Sequence, residues 1–364
     1  MKKAFVCMLV LLLLLPACGL AEEEAVYRLM DEKGRYITSV CYPPEKGDEY
    51  IAGDNAHYEV TDVNEKELTA QIKQIGTFEL PDVSWIETDD SVAVSTLGKE
   101  KKLALYCTHS DESYKNGDGE TSDKNMGGIY DVAKQLAADL EDKGVTVAQS
   151  DNKHHPHDAG AYRRSRQTAV QLLKTAPDAI FDIHRDGIPD PDEYAVTLGG
   201  EKVSKVRLLV GRSNQNMAAN KQFATQLKAV ADKVYPGLIK DIFIGKGAYN
   251  QDLYPRSVLL EFGTHTLSKD RVLKSTEMMS DVIYRTLYGG VTGSAGASDV
   301  GQGGGVAAED NEGAGSGIVW AIGLFAAAIV VFAFISTGSK SGAMEKIKHT
   351  ASEMTGGLVG KKPK

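Results

Sequence analysis

The chain of 364 residues is 42% hydrophobic and 25% charged, with a formal net charge of −9, enough for a sizeable core in one or two domains. An acidic balance argues against a nucleic-acid partner, which selects a basic face. Cys7, Cys18, Cys41 and Cys107 are too few for a disulfide framework.

In residues 1–21, Lys2 and Lys3 precede a leucine-rich run and small residues up to Ala21, the layout of a secretory signal with cleavage after Ala21. Leu15-Pro16-Ala17-Cys18 is also close to a lipoprotein box, so lipid processing at Cys18 is a second route. Residues 22–78 read as a small β-rich domain: Tyr27 and Leu29, then Tyr36, Ile37 and Val40, are split by Glu32-Lys33-Gly34, which predicts a hairpin. Residues 79–100, with Pro81 and many acidic and hydroxyl side chains, read as a linker.

From 101 to 288 strands and helices alternate, the signature of an α/β layer fold with a mixed, mostly parallel sheet flanked by helices. Leu103 to Cys107 predicts a strand, and Met126 to Asp142, with Ile129, Val132, Ala133, Leu136, Ala137 and Leu140 on one stripe, an amphipathic helix. Val145 to Ala148 is a strand, Ala161 to Thr175 a helix carrying Arg163, Arg164 and Arg166, and Ala179 to His184 a strand. Tyr194 to Leu198 and Val203 to Val210 flank Gly199-Gly200 as a hairpin. Asn216 to Val234 is a helix, Ile239 to Ile244 and Ser257 to Phe262 are strands, and Lys269 to Leu287 closes the domain as a helix.

Residues 289–316 are rich in Gly, Ser and Ala, the composition of a flexible tether. Ile318 to Ile335 then gives 18 uncharged residues with no amphipathic stripe, about 27 Å as a helix and so about one bilayer core. A single transmembrane helix is expected over 317–336. The tail 337–364 holds six lysines against Glu345 and Glu353, a surplus of four positive charges, which keeps it on the cytoplasmic side and the larger part of the chain outside.

Functional groups of an α/β sheet gather where strands end at their carboxyl edge. Three strands here end in suitable residues: LALYCTH at His109, AIFDIH at His184 and SVLLEF at Glu261. Alternation puts Leu103, Leu105, Cys107 and His109 on one face, and Ile180, Asp182 and His184 on one face. Two imidazoles at a strand edge beside a carboxylate are the material of a catalytic zinc site, which takes three protein ligands and leaves a place for water. Glu112 is the favoured third ligand, with His157, Asp111 and Cys107 as alternatives. Asp182 is placed to orient an imidazole from behind. Glu261, a carboxylate at the rim of a dry strand, has the raised proton affinity of a general base. Asn250, Gln251 and Asp252, on a loop after Gly245 and Gly247, together with Arg166, are candidates for binding sugar acetamido groups or peptide.

Taken in order, Thr108-His109 with Glu112-Ser113-Tyr114, Tyr162 with Arg164-Ser165-Arg166, Asp182-Ile183-His184-Arg185-Asp186, Tyr249-Asn250-Gln251-Asp252-Leu253 and Leu260-Glu261-Phe262-Gly263-Thr264 resemble the stage II sporulation protein P family over roughly half of the chain. That family is similar in fold to zinc-dependent N-acetylmuramoyl-L-alanine amidases. The resemblance implies a membrane-anchored peptidoglycan hydrolase of septal thinning or engulfment, cutting the amide between glycan and stem peptide and also peptide cross-links. It implies Zn2+ held by His109 and His184, with Glu261 as base. The partners it implies are peptidoglycan, a stage II sporulation protein D-like lytic transglycosylase and a protein M-like membrane protein.

Three departures stand out. Cys107 replaces the first histidine of a His-Thr-His strand end, and Lys124-Asn125-Met126 stands where related amidases open a helix with a glutamate ligand. The expected anchor follows, rather than precedes, the α/β region. A catalytically silent wall-binding scaffold and another secreted zinc hydrolase, such as a carboxypeptidase or deacetylase, are the competing functions.

Overall fold

Runs of alternating apolar residues build one sheet, and stripes of 3.6-residue period cover it. The computed structural model describes residues 25–86, 100–158 and 160–289. The expected signal (1–21), the transmembrane segment (317–336) and the basic tail (337–364) lie outside these. Among the described residues no helix is long and apolar enough to cross a membrane.

Thirteen strands are described: β1 (Tyr27–Met30), β2 (Tyr36–Val40), β3 (Glu49–Ala52), β4 (Ala56–Asn64), β5 (Thr69–Thr77), β6 (Lys102–Tyr106), β7 (Thr146–Gln149), β8 (Ala179–Asp186), β9 (Ala195–Leu198), β10 (Glu201–Ser204), β11 (Val206–Gly211), β12 (Ile239–Gly245) and β13 (Ser257–Thr264). The four long helices are α1 (Ile129–Glu141), α2 (Ala161–Leu173), α3 (Met217–Val234) and α4 (Lys269–Tyr288). Eleven of these strands form a single sheet in the order β2-β1-β5-β4-β3-β12-β11-β13-β8-β6-β7.

Within the expected α/β region, neighbours run parallel from β7 through β6 and β8 to β13, turn antiparallel between β13 and β11, and run parallel again from β11 to β12. The expected hairpin of β1 and β2 is present, with Gly34 at φ +73° in its turn. Strands β1–β5 do not stand apart as a separate β-rich body. β3 pairs antiparallel with β12 from Asp241 opposite Ala52 to Ile244 opposite Glu49, so they extend the same sheet. The expected Val203 to Val210 strand also divides at Lys205: β10 forms a small hairpin with β9, while β11 enters the main sheet.

One face of the sheet packs Leu103, Leu105, Phe181, Ile183, Leu208, Leu260 and Phe262 against α1, α3 and α4. The other packs Ala104, Tyr106 and Ile180 against Ala169 and Leu172 of α2, and Leu209, Phe243 and Leu259 against the N-terminal strands. That second face carries the ionisable residues. Register places His184 beside Glu261, Glu261 beside Arg207, and Arg207 beside Asp241, a row across β8, β13, β11 and β12.

Candidate active site

β6, β8 and β13 point the same way, so their carboxyl ends share one edge. His109 reaches this edge by a route that alternation did not foresee. β6 ends at Tyr106, and Leu103, Leu105 and Cys107 pack on the α1 face, opposite to Ile180, which lies on the α2 face. Beyond the strand the chain turns, and Thr108 donates from its backbone N (2.8 Å) and its Oγ1 (2.6 Å) to Asp182. That turn carries His109 over to the face of His184. Cys107 itself is buried in the core with its thiol pKa pushed well up, by burial first and by the carboxylates of Asp182 and Glu112 next, so it is a packing residue.

Glu112 lies between the two imidazoles. Its Oε1 is 3.2 Å from His109 Nδ1 and 3.3 Å from His184 Nδ1, and its Oε2 accepts from Arg185 N at 2.9 Å. Burial opposes its ionisation, but His184, His109 and Arg185 outweigh that and hold its carboxyl well below the ordinary range. Glu112 O accepts from Ile129 N at 3.0 Å, which seats this loop on the first turn of α1. Asn125, before that helix, is exposed.

Close approach makes this seat possible. A Cβ on Gly127 would stand 2.3 Å from Glu112 O and 2.5 Å from Asp111 C. Gly127→Ala is therefore expected to destabilise the fold by about 1–3 kcal/mol and to weaken any metal held by Glu112. Thermal melts together with metal titration check this, and unchanged values in both would show that the loop yields freely.

His184 is 2% exposed, with Nε2 3.0 Å from Asp182 Oδ1. Burial disfavours charge on this ring, yet Asp182 and then Glu112 raise its pKa well above the ordinary value. His109 is shifted the other way by burial, which the Glu112 contact only partly offsets. Asp182 is anchored in turn: Thr108 Oγ1 lies 2.8 Å from Ser165 Oγ, which accepts from Asn250 Nδ2 at 3.0 Å.

Glu261 sits beside His184 in register, 8% exposed. Burial and the nearby Asp186 carboxylate push its pKa well above the ordinary value, against the pull of His184. Tyr162 roofs the site, its ring centroid 5.4 Å from that of His109, 6.3 Å from His184 and 5.2 Å from Tyr249.

The residues expected to bind substrate make hydrogen bonds within the chain. Asn250 is buried, donating to Tyr162 O (2.9 Å) and Ser165 Oγ. Gln251 is buried and bonded to the backbone of Gly211 and Leu209, at 2.8 Å each. Arg166 and Asp252 pair with each other through two bonds of 2.8 and 2.6 Å. These amides and charges brace the loop against α2 and β11, because a buried amide is stable only when its donors and acceptors are matched.

The donor set suits a zinc ion. Arms of about 2.0–2.2 Å in a tetrahedron give ligand separations of about 3.3–3.6 Å, and the two Glu112 to histidine distances of 3.2 and 3.3 Å come close to these. Glu261 Oε2 is also buried with no hydrogen-bond partner among the described residues, which is costly without a further ligand. Among the described residues, the group whose ligand atoms all lie within 4.8 Å of one another is His109, Glu112 and His157; His184 joins it through its 3.3 Å approach to Glu112 Oε1.

Comparison with known proteins follows this geometry. The family described as stage II sporulation protein P (SpoIIP) matches residues 31–284. The stage II sporulation protein P of Bacillus subtilis (strain 168) is 30% identical over 206 residues, 51% of this chain and 51% of that protein, so the match spans about half of its length. Among solved structures, the CwlD amidase from Clostridioides difficile in complex with the GerS lipoprotein is similar at 16% identity and TM-score 0.33, over 51% of this chain and 95% of that one. The catalytic domain of CwlV, an N-acetylmuramoyl-L-alanine amidase from Bacillus (Paenibacillus) polymyxa var. colistinus, is similar at 14% identity and TM-score 0.34, over 51% of this chain and 97% of that one.

Proposed function

Because the chain belongs to the stage II sporulation protein P family, we propose that it is a metal-dependent peptidoglycan hydrolase of sporulation, cutting the N-acetylmuramoyl-L-alanine amide and, secondarily, stem-peptide cross-links. The observation that carries this reading is the convergence of His109, Glu112 and His184, with Glu261 beside His184 on the neighbouring strand. A zinc ion held there would supply Lewis acidity toward the scissile carbonyl.

The remaining chemistry belongs to the chain. Glu261 takes the proton of the attacking water on Oε2 and returns it to the leaving amide nitrogen. Asp182 fixes the His184 ring from behind, and the Thr108 bonds fix Asp182. Tyr162 covers the imidazoles and limits water on that side. In this reading the segment 317–336 anchors the chain in the membrane, with the site outside the cytoplasm. A D-like lytic transglycosylase and an M-like membrane protein are then its partners.

The test is digestion of purified sacculi by the full chain, with product masses read with and without a chelator. We expect free stem peptides and denuded glycan, lost on chelation and restored by Zn2+. Intact sacculi with zinc present would overturn the hydrolase and leave a wall-binding role.

A further inference from the structure

The loop before α2 is held more firmly than a solvated connection needs. His154 is buried, with Nδ1 2.9 Å from Cys107 O and Nε2 2.9 Å from Thr168 Oγ1, and its backbone N donates to Ser110 Oγ at 3.0 Å. Arg164 reaches back from α2, donating from Nε to His154 O at 2.7 Å and from Nη2 to Pro156 O and Asp158 Oδ1. The residue inside this clamp is His157.

His157 lies over the site. Its ring centroid is 4.0 Å from that of His109. Its Nδ1 is 3.1 Å from Asp111 Oδ1, and Asp111 Oδ2 accepts from Ser122 Oγ at 2.6 Å. A carboxylate so placed orients an imidazole for ligation, as it does for metal-bound histidines generally. The His157 side chain is 23% exposed where that of His184 is 2% exposed, so it stands on the solvent side.

We propose that His157 is a fourth protein ligand of the site, a displaceable cap closing the position that His109, Glu112 and His184 leave open. The proposal rests on the metal reading above and deepens it. A catalytic zinc keeps one coordination place for water or substrate, whereas four protein ligands make a closed, structural type of site. His184 belongs to a buried strand and cannot leave without breaking sheet bonds. His157 belongs to a loop rather than a strand, and its neighbours Pro156 and Asp158 are tied to α2 through the Arg164 side chain, so it is the ligand that can swing away when a wall strand enters. The closed form is the resting state, and substrate binding opens it.

Co2+ tests the ligand set without reference to catalysis, since its visible absorption responds to coordination. The full chain, His157→Ala, His157→Gln and His109→Ala are titrated with Co2+ in the absence of wall. We expect the two His157 variants to change the Co2+ spectrum and to bind at least about tenfold more weakly. His109→Ala is expected to lose binding altogether. Arg164→Met should move the spectrum the same way by releasing the loop. If both His157 variants give the parent spectrum and affinity while His109→Ala loses Co2+, the cap is wrong and the metal site stands. If the parent takes up no Co2+, the metal reading falls and the cap falls with it.

Discussion

Glu261→Gln is expected to abolish most hydrolysis of sacculi, by about 10²–10⁴-fold, while leaving the melting temperature and Co2+ uptake close to those of the parent. The amide is isosteric with the carboxylate and keeps the packing, but it cannot take a proton from water. Its neighbours make the loss specific. On one side Glu261 adjoins His184, and on the other Arg207. The Arg207 guanidinium is directed to Asp241 and Asp186, so Glu261 Oε2 remains an acceptor with no hydrogen-bond partner among the described residues. With its pKa pushed up by burial and by Asp186, the parent's activity should climb with pH over a range above that of an ordinary carboxylate, because only the deprotonated base works. Residual activity of Glu261→Gln should lack that limb. Full activity in the Gln variant would assign the base elsewhere.

Much of this was legible in the sequence, for local reasons. The helical stripe from Ile129 to Leu140 is buried as its period requires, and the strand ending DIHRD delivers His184 with Asp182 behind it. What the sequence hid is non-local. No feature of Glu49–Ala52 announces that it pairs with β12 across almost two hundred residues. The face of His109 was misjudged because alternation holds only while the strand lasts, and β6 stops at Tyr106. Asn250 and Gln251 looked like ligand binders because an amide that closes a loop and an amide that holds a sugar are the same residue. The signal that separates them, matched backbone groups at Gly211, Leu209 and Tyr162, exists only after folding. Arg207 and Asp241 did leave a trace, the first as the single charge inside the strand VRLLVG and the second beside Lys240 inside IKDIFIG.

That pair carries the second large effect. Arg207 is 1% exposed, and its five donors are matched by Asp241 through two bonds of 2.7 and 3.0 Å, by Asp186 at 2.9 Å, by Ser39 O at 3.0 Å and by Thr38 Oγ1 at 3.1 Å. Lys240 adds bonds to Asp241 Oδ2 at 2.9 Å and to Thr38 Oγ1 at 2.7 Å, and Tyr194 donates to Asp186 at 2.6 Å. The cluster therefore ties β2 of the N-terminal strands to β8, β11 and β12, and Asp186 lies two residues beyond His184. Arg207→Met is expected to destabilise the fold by about 3–5 kcal/mol, since it leaves Asp241 and Asp186 buried with a lost partner. Chemical denaturation measures this, and a loss under about 1 kcal/mol would show that Lys240 and Tyr194 suffice. The pH dependence is a sharper test. Burial works against ionised Asp241, but Arg207 and then Lys240 overcome it and hold its pKa down at about 2, against 3.8 for an ordinary aspartate. A carboxyl depressed in the folded state contributes stability that is present above its unfolded value and is lost as pH falls through its folded one. The parent should thus lose stability between about pH 4 and pH 2, with a steeper slope than Asp241→Asn, which is weaker at neutral pH and has no proton to gain at this position. Parallel curves for the two would mean that the acid limb belongs to other carboxylates, and that this row holds the N-terminal strands to the face that carries His184 by packing rather than by charge.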